Sequence, residues 1–310
     1  MKDSIGLDIS KATIDAFRLK TAEAAQFPNS AAGLRSLQKW IGMQKPDLVV
    51  YEAPGAYHAA LERSLSGILP LVKVNPLQAR RFAQARGKRA KTDAVDARIL
   101  ASMGAALDLS PDAPIEENRH ALRELQVARM ALIKERTRVL NRQKTQTLAL
   151  VKRLSNGRLE QIKRELAEIE KALMSLLTAS PRRKRAFDIL CSIPGIGRVT
   201  AMAIIVECPE VGTLNRKQIA SLAGLAPMTQ QSGQWRGRAL IQGGRKFLRD
   251  ALYMPAIVSI RFNPDLSQKY RALTEAGKPA KVALTALMRK LLELANTLVH
   301  HDREWVPKTA

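Results

Sequence analysis

The sequence predicts an α/β domain at its N-terminal end and mostly helical structure after it. Within residues 1–115, apolar runs of strand length alternate with stretches of helical periodicity. From residue 116 to residue 178 there is no proline, and the apolar residues recur at helical spacing. The basic run after Pro181 marks a further boundary, beyond which helices again prevail. We therefore predict three domains, over residues 1–115, 116–185 and 186–310.

The first domain is expected to contain five strands, because five of its segments are short, mostly apolar and bounded by turn residues. These strands are predicted at 4–9, 13–19, 24–27, 48–51 and 71–74. Helices are predicted after the cap Asn29-Ser30, from about 57 to 65, and after Asn75-Pro76. Three strands that can form a meander, followed by alternating helices and strands, predict a mixed sheet with helices on its faces.

The middle domain is predicted to be a helical hairpin that forms a coiled coil, with its turn at Asn156-Gly157. Its apolar residues, at helical steps, are Leu122, Leu125, Leu132, Val139, Ile162, Leu166, Ile169, Leu173 and Leu176. Between Arg129 and Arg158 there are nine basic residues and one acid, Glu135. This excess predicts contact with a polyanion, and the alternative is a coiled coil that serves dimerisation alone. The residues assigned to the contact are Arg136, Arg138, Arg142 and Lys144.

Composition also points to a polyanionic partner. The 310 residues carry 51 lysines and arginines against 28 acids, a formal net charge of +23, and phosphates attract clustered basic side chains. No apolar run approaches the ~20 residues that span a bilayer, so we expect no membrane segment. Residues 1–10 predict a strand with an internal acid and not a signal peptide. Cys191 and Cys208 are too few for a disulfide framework, which fits a reducing cytoplasm.

Four acids are candidates for a metal site. Asp8 lies within an otherwise apolar strand, and Glu52 stands at the C-terminal end of another. Asp93 and Asp96 are three residues apart on a predicted helix, which places both carboxylates on one face. Clustered carboxylates repel unless a cation lies between them, and hard oxygen ligands select Mg²⁺, for which Mn²⁺ can substitute. Each acid alone has a structural alternative, such as a helix cap at Asp93 or an arginine pair at Asp96.

A glycine-containing turn is the second candidate site. Gly195, Gly197 and Arg198 lie between two apolar helical stretches, as in a helix-hairpin-helix. Backbone N–H groups at the start of a helix can bind a phosphate without distinguishing nucleotide sequence. The alternative is a tight turn in which the glycines serve geometry alone. No strand leads into these glycines, so no nucleotide-cofactor site is predicted.

The third candidate is the polar segment 229–238, which we interpret as a loop between helices. It contains Ser232 beside a glycine, with Arg236 and Arg238 close by, and arginine can bind a phosphodiester with two hydrogen bonds. No histidine is placed as the base of a serine hydrolase, and there is no Gly-x-Ser-x-Gly turn. From the residues alone, Ser232 is either a nucleophile or an ordinary loop serine.

Jointly, these motifs resemble those of the DEDD transposases of the one-hundred-and-ten family of insertion sequences, which includes the Piv-type DNA invertases. The matching segments follow the family's order and cover nearly the whole chain. They are 6–11 (Gly-Leu-Asp-Ile-Ser-Lys), 51–57, 75–76, 91–98, 192–197, 223–227, 232–233 and 252–256.

The resemblance implies a RuvC-like domain with an RNase H-like fold, a coiled coil, and a helical C-terminal transposase domain. It assigns the family's four acids to Asp8, Glu52, Asp93 and Asp96, and its nucleophilic serine to Ser232. It also implies strand cleavage and exchange on double-stranded donor and target DNA. A structured bridge RNA would act as the guide, and the chain would work as a dimer or tetramer.

Two alternative functions are compatible with the same residues. An RNase H-like nuclease or junction resolvase would use metal-activated water and leave Ser232 inert. A non-catalytic helix-hairpin-helix protein would bind nucleic acid and use its acids structurally. The first alternative predicts hydrolysed DNA ends, and the second predicts no dependence on divalent metal.

Overall fold

Five strands near the start of the chain form one mixed sheet. They are β1 (Ser4–Ile9), β2 (Thr13–Arg18), β3 (Glu23–Pro28), β4 (Leu48–Glu52) and β5 (Leu71–Val74). The strand order is β3-β2-β1-β4-β5: β1, β2 and β3 pair in antiparallel fashion, and β4 and β5 continue in parallel from β1. This mixed α/β arrangement confirms the predicted sheet and is consistent with an RNase H-like transposase domain.

A computed structural model describes residues 2–52, 57–87, 93–112, 118–229, 231–232, 235–237 and 239–307. Of residues 93–95, 231–232 and 235–236 it describes the backbone alone. The chain divides into two units, residues 1–117 (unit 1) and 118–310 (unit 2). The prediction of separate domains over 116–185 and 186–310 stays a prediction.

Helices cover both faces of the sheet in unit 1. They are α1 (Ala31–Ile41), α2 (Ala59–Leu65), α3 (Pro76–Ala85) and α4 (Asp93–Ala106). Ser30 and Asn75 cap α1 and α3, each by accepting a hydrogen bond from a backbone N–H group, as their residue types predict. One face of the sheet forms an apolar core with residues of α1 and α2, and the other packs on α3 and α4.

Unit 2 begins with two long helices, α5 (Arg119–Gln143) and α6 (Ala149–Thr178). The predicted turn at Asn156-Gly157 is wrong, because α6 runs through both residues and the helices are joined by residues 144–148. A single glycine costs a helix only about 1 kcal/mol relative to alanine, and good helix formers (Arg158, Leu159 and Glu160) follow this one. Asn156 contributes to the hairpin instead, since its Oδ1 accepts a 2.7 Å hydrogen bond from Nε2 of Gln143.

Six shorter helices complete unit 2 in the described part of the chain. They are α7 (Pro181–Ser192), α8 (Arg198–Glu207), α9 (Arg216–Leu222), α10 (Lys246–Phe262), α11 (Pro264–Glu275) and α12 (Ala280–His300). Their apolar residues form one core, which also takes in Leu122 of α5 and Leu173 and Leu177 of α6. None of the helices in the described ranges combines the length and the apolar character that crossing a bilayer requires.

Candidate active site

The backbone places Asp8 and Glu52 side by side, at the C-terminal ends of two adjacent strands in the interior of the sheet. Leu7 of β1 pairs with Tyr51 of β4 in parallel register, and Asp8 and Glu52 are the next residue on each strand. Neighbouring strands lie about 4.8 Å apart. Leu7 and Tyr51 belong to the core on the α1 and α2 side. Because side chains alternate along a strand, Asp8 and Glu52 project toward the opposite face, where α4 packs.

Helix α4 lies on that face and runs antiparallel to β1. A Cβ atom on Gly6 would overlap the carbonyl oxygen of Ala97, and a Cβ atom on Gly104 would overlap Oγ of Ser4. Residues early in α4 therefore lie toward the C-terminal end of β1, where Asp8 is found. Asp96 immediately precedes Ala97, and Asp93 is the first residue of the helix.

Asp8, Glu52 and the start of α4 consequently share one end of one face. The side chains of Asp8, Glu52 and Asp96 are all half-buried, whereas that of Asp93 lies outside the described residues. Among the side chains that are described, no three or more Asp, Glu, His or Cys groups stand close enough together to hold a metal ion.

Sequence reasoning missed a further acid in this region. Asp15 of β2 lies directly opposite Asp8 in the antiparallel pair, so the two side chains project from the same face. Oδ1 of Asp15 accepts a 2.9 Å hydrogen bond from Nε2 of Gln26 on β3. Asp15 therefore adds a third acid to the face of the sheet on which Asp8 and Glu52 lie. Only the register between β1 and β2 reveals this neighbour.

A buried polar network lies at the end of β4, on the face of the sheet opposite to Glu52. Glu62 of α2 accepts a 2.6 Å hydrogen bond from the Tyr51 hydroxyl and pairs with the Lys73 ammonium group. Nε2 of His58 lies 3.6 Å from the same carboxylate. Burial opposes ionisation of Glu62, but the bonds from Lys73 and Tyr51 outweigh it and lower the pKa of Glu62. The network ties β4, β5 and α2 together one residue before Glu52.

The segment that carries Ser232 is a hairpin, so its interpretation as a loop is wrong. Strands β6 (Pro227–Met228) and β9 (Leu240–Ile241) pair at its base, and β7 (Gln231–Ser232) pairs with β8 (Trp235–Arg236) beyond them. A Gly-x pair between two short strands is the sequence signature of a tight hairpin, which the loop interpretation overlooked. Ser232 lies opposite Trp235. The side chains of Ser232 and Arg236, and Arg238 as a whole, lie outside the described residues.

The turn between α7 and α8 contains Gly195 and Gly197, as predicted. Gly195 has φ +101°, and a Cβ atom there would lie 2.9 Å from the carbonyl oxygen of Pro255, so geometry requires this glycine. Gly197 precedes α8 with open space where a Cβ atom would be, and the adjacent Arg198 side chain is exposed. No neighbouring group of the protein therefore requires glycine at 197, and the open space leaves its backbone accessible to a ligand.

The basic surface of the helical hairpin is narrower than the sequence suggested. Arg129 is buried and donates to Glu170 at 2.7 Å, and Arg158 donates to Glu135 at 2.8 Å. These two side chains therefore stabilise the hairpin itself. The four basic side chains assigned to the contact, Arg136, Arg138, Arg142 and Lys144, are exposed, and so are Lys134, Lys152 and Arg153.

Comparison with known proteins identifies the family. A DEDD-type model described as a transposase matches residues 5–152, and a model described as Transposase IS116/IS110/IS902 family matches residues 187–271. The pilin gene-inverting protein of Moraxella lacunata is 31% identical over 97% of both chains, and that of Moraxella bovis is 30% identical over the same shares. The chain belongs to the IS110 transposase family. An uncharacterized 42 kDa protein of insertion element IS900 from Mycobacterium paratuberculosis is 29% identical over 41% of this chain and 33% of its own length.

The two family models together span every candidate site of this IS110 transposase. The first covers Asp8, Glu52, Asp93, Asp96 and helix α5, and the second covers the Gly195 turn and the Ser232 hairpin. This IS110 transposase is therefore a DNA recombination enzyme related to DNA invertases. DEDD transposases typically use a divalent metal ion.

Proposed function

We propose that this IS110 transposase cleaves and rejoins DNA strands through Ser232, with Mg²⁺ held by Asp8, Glu52, Asp93 and Asp96. The observation that supports the acid assignment most directly is the direction of α4. The close approach of Gly6 to Ala97 and of Gly104 to Ser4 means that α4 begins at the end of the sheet where Asp8 and Glu52 lie. Asp15 adds a further negative side chain to this end.

The residues present fit a hard divalent cation. Carboxylate oxygens are the donors that Mg²⁺ and Mn²⁺ prefer. When bound, such an ion would neutralise the charge of the scissile phosphate and polarise it. The acids contribute by holding that ion where the phosphate must lie.

Ser232 would supply the nucleophile. Its Oγ loses its proton and forms a bond to phosphorus, the bond between phosphorus and a deoxyribose oxygen breaks, and the released oxygen takes up a proton to become a free DNA hydroxyl. A DNA hydroxyl then attacks the phosphoserine, reverses the transfer and joins a new strand. Arg236 and Arg238 lie close to Ser232 in sequence and are suited to hold the phosphate through guanidinium N–H groups. The acids belong to unit 1 and Ser232 to unit 2.

The remaining sites would hold nucleic acid without distinguishing its sequence. We assign phosphate contacts to Gly195, Gly197 and Arg198, in a helix-hairpin-helix formed by α7 and α8, and to the exposed basic residues of α5. In this proposal α5 and α6 form a coiled coil. The named relatives invert the pilin gene, which supports site-specific exchange of DNA segments here too. We further propose that a structured guide RNA selects the donor and target sites and that a dimer or tetramer performs the exchange.

The deciding experiment is capture of a covalent protein–DNA adduct. The full chain is incubated with Mg²⁺ and with a plasmid that carries its coding sequence and the flanking DNA. RNA transcribed from that DNA is also added. A denaturing gel should then show DNA attached to the protein, and Ser232→Ala should abolish the adduct while DNA binding persists. Hydrolysed ends that form equally well with Ser232→Ala would establish a metal-dependent nuclease instead. Binding without any cleavage, whether or not Mg²⁺ is present, would favour a non-catalytic nucleic-acid-binding protein.

A further inference from the structure

The hairpin that carries Ser232 is joined to unit 2 through a narrow neck. We define the serine hairpin as residues 227–241 and its neck as the backbone at Gly224 and Gly243-Gly244. Gly224, Gly243 and Gly244 all have left-handed φ angles, between +64° and +67°. A Cβ atom on Gly244 would overlap the backbone nitrogen of Gly224, and one on Gly224 would overlap the carbonyl oxygen of Gly243. The two sides of the neck are therefore in direct backbone contact.

One arginine side chain bridges the two sides of this neck. Arg249 is the fourth residue of α10. Its Nη1 donates a 2.7 Å hydrogen bond to the carbonyl oxygen of Gly243. The same nitrogen donates a 3.1 Å hydrogen bond to the carbonyl oxygen of Ala223. Ala223 follows α9 on the incoming side of the hairpin, and Gly243 lies on the outgoing side. Removing the guanidinium group would leave both carbonyl oxygens without this donor.

A second arginine anchors the neck to the rest of unit 2. The backbone N–H of Arg245 donates to the carbonyl oxygen of Leu222 at 2.8 Å. Its guanidinium group makes two bonds to the Glu210 carboxylate, at 2.6 and 2.7 Å, and one to the carbonyl oxygen of Glu207. The neck is thus part of a framework that reaches back to the end of α8.

Beyond the neck, the described part of the hairpin has little packing of its own. Its strands are two residues long, and Met228 and Leu240 at the base are 51% and 68% exposed. Two-stranded hairpins are marginally stable by themselves in water. The direction in which the hairpin projects therefore depends on the neck.

We propose that Arg249 is a positioning residue, which fixes the serine hairpin by clamping its neck. This inference rests on the proposed role of Ser232 as nucleophile. A displacement of about 1 Å at a reacting group can cost a factor of about 100 in rate. Loss of the clamp should therefore slow attack by Ser232 without weakening the binding of DNA.

The test measures the rate of adduct formation in a single turnover, at saturating concentration of the plasmid described above. Arg249→Ala should lower this rate by about 100-fold and leave the DNA dissociation constant within about threefold. Arg261→Ala is the matched control, because Arg261 lies on the same helix and its guanidinium group lies over the ring of Phe262. This control should retain the rate of the wild-type chain.

Gly224→Ala separates positioning from phosphate binding, because it strains the neck without removing a positive charge. It should lower the adduct rate as Arg249→Ala does. Hydrogen exchange of the backbone amides at 228–229 and 239–241 should be faster in both variants, while thermal unfolding shows that unit 2 remains folded. Arg249→Lys, which keeps a donor, should recover part of the rate.

Two results would overturn the clamp. Weaker DNA binding by Arg249→Ala, with a normal adduct rate at saturation and a normal rate for Gly224→Ala, would assign Arg249 to phosphate contact. A normal rate and normal exchange in both variants would remove any role for the neck. Failure of the underlying function looks different, because the wild-type chain would then form no adduct, and any DNA cleavage would persist in Ser232→Ala.

Discussion

Gly6 of β1 lies directly against the backbone of Ala97 in α4. A Cβ atom on Gly6 would overlap the carbonyl oxygen of Ala97 and the backbone nitrogen of Ala101. Both atoms belong to the helix backbone, so no side-chain rotation can make room. This contact sets the height of α4 above the sheet and, through Asp96, the place of the proposed acid cluster.

We therefore expect Gly6→Ala to push α4 away from β1. Overpacking of this kind costs about 2 kcal/mol in the free energy of unfolding, which urea denaturation would measure. DNA cleavage should be lost even under conditions in which the variant is folded, because Asp96 moves relative to Asp8. Gly157→Ala is the control, since a Cβ atom at this site in α6 meets nothing within 4 Å. It should stabilise the chain by about 0.5–1 kcal/mol. Equal stability of both variants would contradict the close approach.

The carboxylate of Asp8 is expected to be essential for cleavage and dispensable for binding. Asp8→Asn keeps the size of the side chain but removes the charge that attracts a cation, so strand cleavage should fall by about 1000-fold. A chelator should have the same effect on the wild-type chain, and added Mn²⁺ should reverse it. The control is Glu23→Gln, which alters an acid on β3 away from the proposed site. Retention of cleavage by Asp8→Asn would exclude Asp8 from the metal site.

Glu62 should make the stability of unit 1 depend on pH. Its pKa is lowered from 4.5, so its contribution is fully present above that value and is lost as the pH falls through the lower folded-state pKa. Glu62→Gln should reduce the free energy of unfolding by about 2 kcal/mol at pH 7, since bonds to a charged group are lost. The difference from the wild-type chain should shrink as the pH falls from about 5 to 3. A constant difference across this interval would show that the charge of Glu62 is unimportant.

The exposed basic side chains of α5 are expected to contact phosphates. Arg138→Glu combined with Arg142→Glu should weaken binding to all DNA sequences alike, and each lost contact should reduce the slope of log affinity against log salt by about 0.9. Lys163→Glu combined with Lys171→Glu is the control, because it makes the same charge change on exposed positions of α6 outside the basic stretch. If only the oligomeric state changed, the hairpin would serve dimerisation alone.

Sequence selection should require RNA. We expect the chain, purified free of nucleic acid, to bind its own flanking DNA and a scrambled DNA with similar affinity, because its assigned contacts are to phosphates. Addition of RNA transcribed from the flanking DNA should create a preference and permit strand exchange. The comparison is made by titration at fixed salt, with an RNA of scrambled sequence as the control. Specific recombination without RNA would place sequence recognition in the protein.

The two incorrect predictions have different physical causes. Asn156-Gly157 has the composition of a turn, but Asn156 bonds to Gln143 across the hairpin and Ile162 packs with Val139, so α6 continues. Ser232 lies in a polar, glycine-rich segment, yet its backbone pairs with that of Trp235. At Asn156-Gly157, contacts with α5 outweighed the local preference of the residues, whereas at Ser232 a local signal for a hairpin was overlooked.

The sequence by itself determined the strands of the sheet, the cap Ser30, the family and the candidate residues. These follow from patterns that neighbouring residues carry, because apolar periodicity and capping act over a few positions. Only the tertiary structure decided the direction of α4 on β1, the place of Asp15 beside Asp8 and the bridge that Arg249 makes across the neck. Each joins residues distant in the chain, and their approach depends on packing and hydrogen bonds that form only when the chain folds.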